Sequence, residues 1–197
     1  MAPGSFVDEL AVYKRLKISR TPLREALKVL TAKGLMRHKL QRGCFVNEVS
    51  EQDLDDIFQV IVLLERRCAF EATGNASDAD LQALQVLQDK LNAQAKAGLT
   101  KEYYATNFTI REAIISLANN RWLSQSIANL RKILKLLRIK FLRVPGGLAQ
   151  SLSEHMTIFA ALKSRDSEGA EAAIRIHLLQ QRDALRTLQG QQSRLTP

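Results

Sequence analysis

Three cationic side chains between residues 20 and 28 have the spacing of one helical face. Arg24 and Lys28 are four residues apart, and Arg20 stands just before the helix that this segment is expected to form. A guanidinium group can donate two hydrogen bonds to the edge of a guanine, and the first turn of a helix can hold a phosphate through its N–H groups. The pattern favours a helix that enters the major groove of a duplex, with a merely solvated basic face as the alternative.

The elements that must position these cations begin with a short helix expected over residues 6–16. A second helix is expected to open with Thr21 as its N-cap and Pro22 at its first helical position, and to end before Gly34. Its apolar residues recur at helical spacing: Leu23, Ala26, Leu27 and Leu30. A short connection between the two helices makes this segment a helix-turn-helix.

A basic hairpin is expected directly after the second helix. Residues 35–39 and 44–46 have the composition of two short strands, and the turn between them contains Arg42 and Gly43. Such a turn can approach the minor groove or the phosphate backbone. The two helices and the hairpin together predict a winged helix-turn-helix.

The positive charge of the chain is concentrated near its start. The formal net charge is +9, and residues 1–50 hold ten of the 29 Lys and Arg side chains but only four of the 20 acidic ones. This concentration indicates a polyanionic partner such as double-stranded DNA. The longest apolar run, Val60–Leu64, is far too short to cross a bilayer, so no membrane partner is expected. Cys44 and Cys68 have no metal-ligand spacing, which favours a reducing, cytoplasmic location.

Beyond Ser50 the chain has the pattern of helices only, and the helical segments predict an antiparallel six-helix bundle. The fold is expected to be mainly α. A winged helix-turn-helix over 1–49 would precede a helical ligand-binding and dimerisation domain over 50–190 and a flexible tail over 191–197. One run of basic residues in the bundle is interpreted as a solvated face: Arg131, Lys132, Lys135, Arg138, Lys140 and Arg143.

The segment that carries the spaced cations resembles a known family. The run SRTPLREAL at residues 19–27, followed by Gly34-Leu35 and Arg42-Gly43, is similar to the GntR family of bacterial transcription regulators. The resemblance implies a homodimer on a pseudo-palindromic operator. It implies DNA contacts by these residues: Ser19, Arg20, Thr21, Arg24, Arg42 and Gly43. Lys28 joins them through its place on the same helical face.

The sequence departs from the family pattern at two places. The family has a further helix before this segment, and the chain starts at Met1 without it, so apolar surface is expected around Leu10, Leu27 and Leu30. The family also favours Gly in the turn between the two helices, where this chain has Lys17. If that residue needs a positive φ, the lysine costs roughly 1 kcal/mol or more.

Residues 51–189 resemble the C-terminal sensor domain, the FCD domain, of the FadR-like branch, in its vanillate-regulator-like six-helix subtype. The matching pieces are Asp53–Glu65, Ile110–Leu123, Glu154-His155 and His177-Leu178. The resemblance implies a site for a small-molecule effector. Many relatives hold a divalent metal there with an Asp, a His four residues later and two further His. Those positions carry Asn107, Arg111, His155 and His177 in this chain.

These four positions leave three interpretations open. Asn107, His155 and His177 could hold a divalent metal such as zinc or nickel, with Arg111 turned aside. Alternatively, Arg111 takes the electrostatic place of the metal and binds a carboxylate effector. We favour this second interpretation, because a guanidinium cannot coordinate a cation but pairs well with a carboxylate. The histidines could also be ordinary core residues. Ile61 stands where relatives usually carry an Arg near the pocket, which weakens any specific ligand assignment.

The expected function is therefore a transcription regulator that binds DNA as a dimer and responds to a small organic acid, with no catalytic residues. The alternative is a helical ligand-binding or metal-binding protein, or a metalloenzyme, that does not bind DNA. His155 and His177 support this alternative. Against the enzyme, the sequence has no Glu-x-x-His pair of a di-iron bundle and no glycine-rich phosphate loop.

Overall fold

The computed structural model describes residues 4–142 and 147–195, with side chains over 4–134 and 147–187. In these ranges the chain has eight helices and one two-stranded antiparallel sheet, which confirms the mainly α expectation. It divides into two compact units, Met1–Ser50 and Glu51–Pro197, and each is described by itself. Within the described ranges, none of the helices is long and apolar enough to span a membrane.

The first unit contains two helices followed by a hairpin. Its elements are α1 (Glu9–Leu16), α2 (Arg20–Ala32), β1 (Met36–Lys39) and β2 (Gly43–Val46). The strands pair with Met36 opposite Val46 and Lys39 opposite Gly43. This arrangement is the predicted helix, turn, helix and wing.

A small apolar core holds the first unit together. Its buried members come from the segment before α1, from α2 and from β2: Val7, Leu23, Leu27, Cys44 and Val46. The Val7 N–H donates to the Cys44 carbonyl at 2.8 Å, so the entering chain lies along β2. The expectation of exposed apolar surface is right for Leu10, which is 48% exposed, and wrong for Leu27, because Leu27 packs into this core.

Both helices of this unit begin at different residues from those expected. The Asp8 side chain accepts a hydrogen bond from the Ala11 N–H at 3.0 Å, so α1 begins at Glu9 rather than near residue 6. Ser19, with extended backbone, is the N-cap of α2, which corrects the expectation of Thr21. Pro22 is then the third helical residue. This position tolerates proline because the first four N–H groups of a helix have no intrahelical acceptor.

The second unit consists of six helices in the described ranges. They are α3 (Glu51–Asn75), α4 (Asp78–Lys96), α5 (Thr100–Leu117), α6 (Arg121–Leu142), α7 (Gly147–Lys163) and α8 (Ser167–Leu195). The helix α3 packs along α8, α4 packs against α5 and α7, and α7 packs against α8. The helix α6 contacts α3, α5, α7 and α8, so the helices of this unit share one interior.

The last helix is longer than expected. It continues past residue 189 to Leu195, so most of the expected tail over 191–197 is helical, and residues 196 and 197 lie outside the described part. No proline occurs between Gly190 and Leu195, the last residue of α8. A single glycine, Gly190, costs a helix only about 1 kcal/mol, which explains why α8 does not stop there.

Lys17 ends α1 in the left-handed region, with φ 53° and ψ 41°. The family's preference for glycine at this position predicts such a positive φ. We expect Lys17→Gly to stabilise the first unit by up to about 1 kcal/mol. Relief of about 1–2 kcal/mol of strain outweighs the extra chain entropy of glycine. Slower amide hydrogen exchange in α1 and α2 would show this gain. The control is Lys14→Gly inside α1, which should lose about 1 kcal/mol. Faster exchange in both variants would contradict the strain at Lys17.

Candidate DNA interface and effector site

The exposed side of α2 carries the predicted cations in one row. Arg20 is the first residue of the helix, and Arg24 and Lys28 follow at intervals of four residues. The side chains of Arg24 and Lys28 are 72% and 73% exposed. The opposite side of α2 buries Leu23 and Leu27, so the packing of the core turns the cationic row toward solvent.

Neighbouring side chains hold these cations loosely. The Arg20 guanidinium lies 5.6 Å from the centre of the Tyr13 ring, and Arg24 Nε lies 3.9 Å from a Glu9 carboxylate oxygen. Both partners belong to α1. Exposed pairs of this kind contribute at most about 1 kcal/mol. The cations therefore remain accessible to a stronger polyanionic partner.

The start of α2 also has the features of an anion site. Ser19 and Thr21 are exposed there, and the Ser19 side chain makes no capping hydrogen bond. The N–H groups of the first turn have no intrahelical acceptor, and the helix dipole adds partial positive charge. This end of the helix can receive a phosphate group.

The hairpin turn places Arg42 at the exposed tip of the wing. Gly43 follows with φ 86°, and a Cβ atom there would lie 2.8 Å from a carbon of the Phe6 ring. Phe6 in turn packs edge-to-face on Phe45, with ring centres 5.4 Å apart. Gly43 is thus required by the shape of the turn itself, in addition to any role at a DNA surface.

In the second unit, the four residues expected at the effector site lie together. Asn107 and Arg111 are one turn apart on α5, His155 is on α7 and His177 is on α8. Asn107 Nδ2 donates to His155 Nε2 at 2.7 Å, and Arg111 Nη2 donates to His177 Nε2. The two imidazole rings have centres 5.1 Å apart.

Arg111 is buried but has few partners. Its side chain is 3% exposed, and Nε and Nη1 make no hydrogen bond with any described residue. Nη1 lies 3.7 Å from a carboxylate oxygen of Glu65 on α3. Burial lowers the pKa of Arg111 to about 10, and the charge of Glu65 opposes that shift. The group is still a cation at neutral pH, and its ion pair with Glu65 is too long to be a hydrogen bond.

The contacts of His177 determine which of its nitrogens carries the proton. A guanidinium can only donate, so Nε2 must accept from Arg111 and Nδ1 carries the hydrogen. Nδ1 then donates to a carboxylate oxygen of Glu154 at 2.5 Å. Burial raises the pKa of Glu154, while Gln150 and Arg111 oppose the shift. This chain of contacts fixes the orientation of His177 between α5 and α7.

A divalent metal does not fit this arrangement. The His177 lone pair that would bind a cation accepts from Arg111, and the guanidinium charge would repel the metal. No group of three or more His, Cys, Asp or Glu side chains among the described residues could hold a metal ion. The donor set is suited to an anion instead.

A buried ion pair beside the site was missed from the sequence. Arg131 on α6 donates to both oxygens of Glu65, at 2.9 and 2.8 Å, and to Glu112 at 3.0 Å. The expected solvated face is therefore wrong for Arg131 and right for Lys132, which is exposed, whereas the side chains from Lys135 to Arg143 lie outside the described residues. The spacing of Ile127, Arg131 and Leu134 along the buried stripe was the available signal.

A second polar contact inside the bundle was also missed. The Tyr103 hydroxyl donates to the Ser151 hydroxyl at 2.9 Å, and both residues are fully buried. Burial raises the pKa of Tyr103. Tyr103, Asn107 and Arg111 are spaced four residues apart on α5, so this spacing could have identified Tyr103 as part of the site.

The fold and these sites define a winged helix-turn-helix protein with an all-helical sensor unit. Residues 1–46 match the bacterial regulatory proteins of the gntR family, and residues 56–180 match the FCD domain. The chain belongs to the GntR family of bacterial transcription regulators, in the branch with an FCD domain. It is a ligand-responsive DNA-binding regulator rather than an enzyme.

Several regulators and one solved structure are similar along most of the chain. The transcriptional repressor RspR of Escherichia coli is 26% identical over 98% of this chain and 85% of its own length. The repressor GlaR of the same species is 31% identical over 80% of this chain and 76% of its own. The structure of E. coli McbR/YncC superposes with a TM-score of 0.82 at 25% identity, and the match covers 95% of this chain and 90% of that one.

The Glu65–Arg131 pair gives a stability prediction. We expect Arg131→Met to destabilise the helical unit by about 3–5 kcal/mol, because it leaves the buried Glu65 carboxylate without its main partner. The double variant Glu65→Leu/Arg131→Met should recover part of that loss but not all of it, because it also removes the carboxylate nearest to Arg111. Urea unfolding measures both. Arg66→Met, which breaks a half-exposed pair with Glu171, is the control and should lose less than about 1 kcal/mol. A loss that small for Arg131→Met would contradict the buried pair.

Proposed function

We propose that this regulator binds a pseudo-palindromic operator as a homodimer, and that a carboxylate effector held by Arg111 modulates its affinity for DNA. The carboxylate effector is supported by the buried Arg111 guanidinium, two of whose nitrogens have no hydrogen-bond partner among the described residues. Binding to an operator is supported by the exposed row of Arg20, Arg24 and Lys28 on α2.

At the operator, Arg20 and Arg24 contact base edges in the major groove from the first turns of α2. Lys28 contacts a phosphate from the same row, and Ser19 and Thr21 donate to a phosphate at the helix N-terminus. In the wing, Arg42 contacts the minor groove or the backbone, and Gly43 permits the close approach. The half-sites of a two-fold operator match two copies of the chain.

At the effector site, a carboxylate supplies the acceptors that Arg111 lacks. A buried cation with unsatisfied donors is unfavourable, and paired hydrogen bonds to a carboxylate offset that cost. Asn107, His155 and His177 surround the guanidinium and orient the ligand. Because Arg111 supplies the charge, the site needs neither zinc nor nickel.

The dimer is proposed to use the exposed side of α3. Val60 and Leu63, one turn apart on this helix, are 47% and 55% exposed. Burial of such side chains between two copies is favourable. Effector binding would then alter helix packing in the sensor unit and change the separation of the two DNA-reading units. The protein would work in the cytoplasm, where its DNA is.

The DNA assignment predicts a strong salt dependence. With about six phosphate contacts per dimer, log K against log salt should have a slope near −5. Arg20→Ala and Arg24→Ala should each weaken operator binding by about 1–3 kcal/mol and reduce base selectivity. Mobility-shift titrations with a palindromic operator near the protein's own gene measure this. Arg15→Ala, an exposed cation on α1, is the control and should change affinity by less than about 0.5 kcal/mol. Unchanged affinity in both α2 variants would remove them from the interface.

The effector assignment predicts that charge at residue 111 matters and that metal does not. Lactate and gluconate, each compared with its neutral analogue lactamide or glucitol, are suitable probes. Arg111→Ala should weaken carboxylate binding at least tenfold, and Arg111→Lys should lose less, because it keeps the charge but not the paired donors. EDTA should change binding less than twofold. Calorimetry that shows the reverse order, with EDTA abolishing binding and Arg111→Ala neutral, would restore the metal interpretation.

A further inference from the structure

The two arginines proposed to read bases each lie beside a different side chain of α1. Arg24 is paired with Glu9, and the Arg20 guanidinium lies over the ring of Tyr13. Glu9 and Tyr13 are one turn apart on α1, as Arg20 and Arg24 are on α2. The first helix therefore presents a carboxylate to Arg24 and an aromatic ring to Arg20.

Glu9 approaches Arg24 from the inner edge of its guanidinium group. The nearest atoms are a carboxylate oxygen of Glu9 and Nε of Arg24, 3.9 Å apart, so the terminal nitrogens Nη1 and Nη2 lie farther from the carboxylate. This ion pair is too long for a hydrogen bond, and a small rotation of the largely exposed Arg24 side chain can shorten it. A carboxylate beside Nε leaves both terminal nitrogens for the paired contact that guanine O6 and N7 accept.

The place of Glu9 in its helix limits how far this carboxylate can move. Glu9 is the first residue of α1, and the Asp8 side chain caps that helix by accepting from the Ala11 N–H. Val7, two residues before Glu9, is buried in the core of the unit. A carboxylate in the first turn also interacts favourably with the helix dipole. The backbone that carries Glu9 is therefore held beside Arg24.

We infer that Glu9 is a positioning residue for base recognition, which directs Arg24 to a guanine and away from phosphate groups. The inference rests on the proposed contact of Arg24 with a base edge. A carboxylate beside Arg24 repels phosphate oxygens, which carry charge of the same sign, whereas the uncharged edge of guanine meets no such repulsion. Glu9 therefore lowers the affinity for random DNA and raises the selectivity for the operator.

The test uses an operator selected from random duplexes by the wild-type full chain, with each base pair then varied in turn. Arg24→Ala identifies the base pair that Arg24 reads, because the preference for guanine should be lost there. At that same base pair, Glu9→Gln should lower the preference for guanine at least threefold and leave the other positions within twofold. Its affinity for a random duplex should rise about twofold or more, because it removes a negative charge near the phosphates.

Glu25→Gln is the matched control. Glu25 is an exposed carboxylate of α2 that pairs with Lys28, the residue proposed to contact a phosphate. This variant removes the same charge from the same unit, so it should also raise the affinity for random DNA, but it should leave every base preference unchanged. An equal loss of guanine preference in Glu9→Gln and Glu25→Gln would overturn the inference, since removal of charge alone would then explain it.

The outcomes separate this inference from the proposed function. If Arg24→Ala changes no base preference, the proposed base contact is refuted and the inference with it. If Arg24→Ala removes the guanine preference but Glu9→Gln keeps it, the base contact stands and the role of Glu9 is wrong. In the Arg24→Ala background, Glu9→Gln should change no base preference further, and an additional loss would show that Glu9 acts through another residue.

A second variant covers the case in which Glu9→Gln does not fold. Glu9→Asp keeps the charge but places the carboxylate one methylene farther from Arg24 Nε. It should lower the guanine preference at least twofold and leave the affinity for a random duplex within twofold of the wild type. An unchanged guanine preference in Glu9→Asp would also overturn the inference.

Discussion

The Arg111 guanidinium lies inside a helix bundle with only one of its three nitrogens hydrogen-bonded within the described residues. Its side chain is almost fully buried, and a neutral side chain of similar size would avoid the cost of burying a charge. The neighbouring groups are arranged around this cation. His177 accepts from it, Glu154 fixes the proton of His177, and Glu65 supplies a nearby countercharge. The polar contacts that join α5, α7 and α8 at this place depend on how this one charge is satisfied.

The two guanidinium groups of this interior have different roles because their partners differ. Arg131 is fully paired with Glu65 and Glu112, so it ties α6 to α3 and α5. Arg111 shares Glu65 at a longer distance and keeps donors for another acceptor. Glu65 belongs to α3, the helix that directly follows the DNA-binding unit in the sequence. A change in the pairing of Arg111 therefore alters a contact made by the first helix of the sensor unit. That connection is a physical basis for an effector response.

Much of this fold could be predicted from the sequence, because helical spacing and helix ends are local properties. The DNA-reading segment was identified from one specific run of residues, and its turn at Lys17 has the positive φ that was anticipated. The N-cap of α2 was placed two residues late at Thr21, since serine and threonine both cap helices well and only backbone geometry distinguishes them.

The polar interior was less predictable, because its contacts join residues far apart in the sequence. Arg131 and Glu65 are 66 residues apart, and a basic residue between basic neighbours is usually solvated. The four residues of the proposed effector site were identified only through resemblance to a family. Their contacts, above all the one between Arg111 and His177, favour an anion over a metal, and no sequence pattern contains that information.

A crystal structure of the full chain with a bound carboxylate effector, with diffraction also recorded at the zinc and nickel absorption edges, would show whether Arg111 holds an anion. We expect carboxylate oxygens about 2.7–2.9 Å from the nitrogens of Arg111, with no anomalous peak beside His155 and His177. An anomalous peak coordinated by those histidines, with the Arg111 side chain turned away from it, would refute the carboxylate site.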